Sequence, residues 1–111
     1  MVSLIIVILN QVSEMKNLIV DGMLSGTGIR DGIAGGYVSP DEIIKNEELK
    51  TDINGWRDRY AEEHYFQFEN REAIKKLDAE GIELAKRISL LLPEVTVEYY
   101  SAAHMKRMPV I

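Results

Sequence analysis

The 111-residue chain has no cysteine, three prolines, one tryptophan and two histidines. Without cysteine there is no disulfide framework, no thiol nucleophile and no thiolate-held zinc or iron–sulfur centre. That composition fits the reducing cytosol, and a cytoplasmic location is the expectation. The histidines, at 64 and 104, stand 40 residues apart, so no closely spaced His pair of the metalloenzyme kind exists; no metal and no cofactor are expected. An excess of basic residues is missing too. Thirteen Lys and Arg face 18 Asp and Glu, a net charge of −5, which argues against a nucleic-acid partner. Long apolar runs are scarce: Val2–Leu9 is eight residues, whereas a helix needs about 20 to cross a bilayer, so no membrane association is expected.

What is present describes one α/β domain over residues 1–111. Hydrophobic residues make up 46%, enough for a single core at this length. Val2–Leu9 (VSLIIVIL) is β-branched and reads as a strand buried on both faces. It has no preceding Lys or Arg and no small-residue cleavage site after it, so it makes a poor signal peptide. Residues 1–14 have two readings, an edge strand or a translated leader ahead of a start at Met15. Asn17–Asp21 is a second short strand.

Ser39-Pro40-Asp41-Glu42 has the form of a capping box with proline at the first helical position. It starts a helix to about Asn46, which can itself cap. Leu49, Ile53, Trp56, Tyr60 and His64 then form one stripe of a helix from Glu47 to about Glu69. Asn70 caps a second long helix with the stripe Ile74, Leu77, Gly81, Leu84, Ala85, Ile88, Leu91 and Leu92, ended by Pro93. Gly81 within that stripe implies close approach to the sheet or to the other helix. Glu94–Tyr100 alternates as a strand with Val95, Val97 and Tyr99 inward. Strands flanking long helices predict a parallel crossover. The expected fold is therefore a small mixed or parallel sheet of about three strands covered by two main helices, with a long Gly-rich loop after the second strand.

Gly22–Gly36 holds six of the eight glycines and follows a strand, where α/β folds place ligands. Asp21, Ser25, Gly26, Thr27, Gly28, Arg30 and Asp31 are the candidate binding residues of this loop. Its amides could converge on an anion, with Arg30 adding a bidentate contact. The dinucleotide fingerprint fails, because Asp31 stands where Gly or Ala is needed and no helix opens at once. The phosphate-loop pattern fails for want of a lysine. No serine sits in a nucleophile elbow. His64, beside Glu62 and Glu63, reads as a half-buried residue with one hydrogen bond, and His104 as solvent-facing. Met105, Met108, Val110 and Ile111 make a sticky, mildly basic end. No set of catalytic residues is complete.

Residues 41–69 carry nine acids and four bases, which accounts for the whole net −5. At 100° per residue, Glu47, Asp58, Glu62, Tyr65 and Glu69 lie opposite the Trp56–Tyr60 stripe. An acidic face with an aromatic suits a basic protein partner, since charges steer and aromatics anchor. The favoured function is thus non-enzymatic protein binding; a bacterial immunity or antitoxin-like inhibitor of a basic toxin is its concrete form. The rival is a small enzyme or ligand-binding protein acting on a phosphorylated compound at the Gly-rich loop.

Overall fold

A computed structural model describes residues 17–110. The expected strand at Val2–Leu9, and the two readings of residues 1–14, lie outside the described residues. Within them the order is β1 (Asn17–Asp21), β2 (Ile29–Asp31), α1 (Pro40–Ile43), α2 (Glu47–Tyr65), α3 (Arg71–Leu91), β3 (Thr96–Ser101) and β4 (Lys106–Met108). The sheet runs β2-β1-β3-β4. β1 and β3 are parallel, with Leu18 opposite Val97 and Val20 opposite Tyr99; β2 and β4 flank them antiparallel. The parallel crossover is as the element order predicts. Among the described residues the sheet is mixed and has four strands, against about three expected; β1 and β3 are as expected, and β2 and β4 are additional.

Both additional strands come from segments that looked too irregular to pair. β2 lies inside the Gly-rich stretch, so Gly22–Gly36 is not one continuous loop. The chain turns after Asp21, pairs back along β1, then turns again so that Tyr37 bridges Arg30. β4 is the mildly basic end, where the chain reverses over residues 102–105 and returns beside β3. Met108 and Val110 then pack against the core.

The helices cover one face of the sheet, the one carrying Leu18, Val20, Val97 and Tyr99. Leu49, Ile53, Trp56 and Tyr60 of α2 and Ile74, Leu77, Leu84, Ala85 and Ile88 of α3 are buried against it. The Trp56 indole donates to the Leu77 carbonyl at 2.8 Å and so ties α2 to α3. Gly81 allows α3 to approach the sheet, since a Cβ there would fall on the Tyr99 ring.

Asn46 and Asn70 cap as predicted, accepting from Leu49 N at 2.9 Å and Ala73 N at 3.0 Å. Ser39 does not: its side chain makes no cap bond, and α1 is only four residues long. α2 also stops at Tyr65, four residues short of Glu69. Gln67 and Phe68 take left-handed φ of 54° and 58°, and Phe68 N donates back to Glu63 O at 3.0 Å. This closing turn folds the Phe68 ring onto Tyr60 and His64, a contact that continued helix would not give.

Candidate functional site

Asp21 ends β1 fully buried. It accepts a hydrogen bond from the Tyr37 hydroxyl at 3.0 Å and a longer one from Met23 N at 3.3 Å. Arg30 Nε, from the neighbouring strand, lies 3.1 Å from Oδ2. Neither atom makes a directed hydrogen bond, so this contact is one of charge with charge. The guanidinium also lies over the Tyr100 ring, 5.7 Å from its centroid. Burial raises the Asp21 pKa above its ordinary value, against the lowering effect of Tyr37, Met23 N and Arg30. The Tyr37 hydroxyl is pushed up to about 12 by burial and by the Asp21 charge.

The other loop residues are held by one another. The Thr27 hydroxyl donates to Val38 O at 2.6 Å. Asp31 Oδ1 accepts from Ile33 N at 2.9 Å and Ala34 N at 3.0 Å, which closes the second turn. Gly28 has a φ of 95°, and Ser25 is left-handed at 68°, while Gly26 packs under the Tyr37 ring. The segment is thus a tightly tied double turn. Arg30, its one cation, faces Asp21, and neither the pocket beside the first half of α3 nor the one beside β4 is lined by any loop residue.

The acidic face of α2 is outside. Glu47, Asp58, Glu62, Tyr65 and Glu69 are all exposed, although Glu69 lies beyond the helix end. Tyr65 is 76% exposed, and Phe66 beside it is 58% exposed. Glu47 pairs with Lys50 at 2.7 Å and Asp58 with Arg57 at 3.1 Å; Glu62 and Glu69 have no ion pair among the described residues. His64 is half-buried, its Nε2 donating to Gly22 O at 2.9 Å, as read from its helical phase.

A second buried carboxylate escaped the sequence reading. Asp78, in α3, is 4% exposed. Its Oδ1 accepts from the Tyr60 hydroxyl at 2.8 Å and the Tyr99 hydroxyl at 2.5 Å. Its Oδ2 accepts from Ser101 Oγ at 2.9 Å. Burial pushes Tyr60 up to about 12 and Tyr99 higher still, so both remain proton donors to the carboxylate. His104, read as solvent-facing, is 44% exposed at its side chain, and its Nε2 is 3.9 Å from Asp78 Oδ2. The turn after β3 brings it back over α3. Ser, His and Asp meet here without forming a nucleophilic triad. Ser101 is fully buried and bonds the carboxylate itself, while its oxygen accepts from His104 N at 3.2 Å. The signal was present in the sequence: Asp78 follows Ile74 by four and precedes Gly81 by three, so it lies in the apolar stripe. A carboxylate there demands buried donors.

No protein-family model, curated protein or solved structure matches the chain. Among the described residues, no cluster of three or more potential ligands could hold a metal ion, and no helix is long and apolar enough to cross a membrane.

Proposed function

We propose that the chain is a protein-binding module that recognises a basic partner through the outer face of α2, acting in the cytoplasm without chemistry of its own. One observation carries this reading: Glu47, Asp58, Glu62 and Glu69 share the surface with two neighbouring exposed aromatics, Tyr65 and Phe66. An exposed ring pair is not needed by the core, which Tyr60 and Phe68 already close. It offers apolar anchoring area, and the surrounding carboxylates supply long-range attraction for Lys and Arg. The 19 residues of α2 give a face about 28 Å long, enough to contribute one side of an interface of ordinary size. An immunity or antitoxin-like inhibitor of a basic toxin is the specific form this takes. The rival, a phosphate site in the Gly-rich segment, has its one cation committed to Asp21.

The test compares three immobilised chains: wild type, Tyr65→Ala, and Asp58→Lys with Glu62→Lys. Each is exposed to source-cell extract at low salt, and the retained proteins are quantified by mass spectrometry. Basic proteins held by the wild type and lost from both variants support the reading. The same proteins on all three chains refute it.

A further inference from the structure

A pocket of about 560 Å³ opens between the first half of α3, the turn after β3 and the closing turn of α2. Its size falls within the roughly 300–1,000 Å³ typical of small-molecule sites. Phe68, Ile74, Ile82 and Met108 form an apolar wall. Asp78 is at the floor, held by three hydroxyl donors, and His104 stands beside it with its side chain 44% exposed. Arg71 and Lys75 line the same pocket, spaced i and i+4 on one side of α3. Both are exposed, and neither forms an ion pair among the described residues. In a chain of net charge −5, two unpaired cations over an apolar wall are a local reversal of charge.

We propose that this pocket binds a small organic anion: an apolar, ring-sized body with one carboxylate or phosphate group. The body lies against Phe68, Ile74, Ile82 and Met108. The anionic group is taken by Arg71 and Lys75, which can reach it together because residues four apart on a helix are neighbours. Asp78 is not a contact for that group. It accepts from Tyr60, Tyr99 and Ser101, and the Ser101 hydroxyl oxygen in turn accepts from His104 N at 3.2 Å. The floor offers an anion no free donor, because the Tyr60, Tyr99 and Ser101 hydroxyls are turned to Asp78, and this leaves the exposed Arg71 and Lys75 as its place. This site adjoins the acidic face at Glu69, between Phe68 and Arg71, but shares none of that face's five residues, so either can stand without the other.

The experiment titrates the 111-residue, ¹⁵N-labelled chain with 4-phenylbutyrate, phenyl phosphate and the neutral 4-phenylbutyramide, following amide shifts. Ligands of this size should bind with Kd on the order of 1 mM. The proposal expects the largest shifts in the segments 71–82 and 103–108. It expects the neutral amide to bind about tenfold more weakly than the carboxylate, the worth of one charge-assisted contact. The carboxylate and phosphate arms rank the two headgroups. Arg71→Gln with Lys75→Gln should weaken both anions without moving the Tm, and Ala79→Trp, a substitution at an exposed lining position, should block all three probes. No shifts with either anion, shifts located elsewhere, equal affinity for the amide, or full affinity in the double variant would each overturn it.

Discussion

The two buried aspartates have the same side chain and nearly the same burial, yet they are stabilised in different ways. Asp21 is paired with a cation on the adjacent strand and completed by one tyrosine. Among the described residues Asp78 has no Arg or Lys within pairing distance; three hydroxyls carry it, and His104 Nε2 stands 3.9 Å away. The difference decides what each region can offer a ligand. At Asp21 the charge is closed internally and uses the only cation of the Gly-rich segment. At Asp78 neutral donors close it, and Arg71 and Lys75 stay free at the pocket mouth. Charge left over at the surface, more than charge buried, marks where a partner can act.

The largest effect that could break this comparison is Asp78→Ala. It would orphan three buried hydroxyls, each costing about 1–3 kcal/mol when unsatisfied, so a loss of about 3–5 kcal/mol is expected in urea unfolding. A loss below about 1 kcal/mol would mean the hydroxyls find other partners. Leu84→Ala and Ile88→Ala sharpen the scale. Both side chains are essentially buried, at 2% and 0%, and each substitution should cost about 2–5 kcal/mol through cavity formation alone.

Next is Arg30→Ala. Read from the sequence as a contact for an anionic ligand, Arg30 is instead paired with a fully buried carboxylate and is a structural tether. Removing one partner of a buried pair costs about 3–5 kcal/mol, and its side chain is 31% exposed, which reduces the expected loss to about 1–2 kcal/mol. An unchanged Tm would restore the free-ligand reading.

A smaller effect lies in the acid limb. Because burial raises the folded Asp21 pKa above 3.8, the folded state holds this proton more tightly than the unfolded chain. Its contribution to stability is therefore complete below pH 3.8 and is lost as pH rises through the folded value. The unfolding free energy of wild type minus that of Asp21→Asn should fall over this window. In an Arg30→Ala background the fall should extend to higher pH. A difference that rises with pH would show that Arg30, and not burial, dominates.

Much of the fold was legible because its elements announce themselves by period and punctuation. The stripes of α2 and α3, the Asn46 and Asn70 caps and the alternation around Val97 and Tyr99 all act locally. β2 and β4 were hidden for the opposite reason. Each is three residues long and exists only because a neighbour offers an unpaired edge, which no local pattern records. Asp78 could have been read from its place in the stripe, but its hydroxyl partners come from positions 60, 99 and 101, and only the fold assembles them. Asp21 and Arg30 were legible as candidate residues of the loop, but their pairing, and the Tyr37 hydroxyl that completes it, required the two turns of the segment. The outer face of Glu47, Asp58, Glu62 and Tyr65 was legible because it follows from helical phase alone, whereas Glu69 is exposed beyond the helix end.

The most direct test of the account is the association rate between this chain and a basic protein that it captures, measured at low and at moderate salt for wild type and for Asp58→Lys with Glu62→Lys. The wild-type rate should fall steeply with salt. The charge-reversed chain should associate at least about tenfold more slowly at low salt, and the gap should narrow as screening increases. Equal rates for the two chains, with the same salt dependence, would contradict the claim that the outer face of α2 is where the partner is recognised.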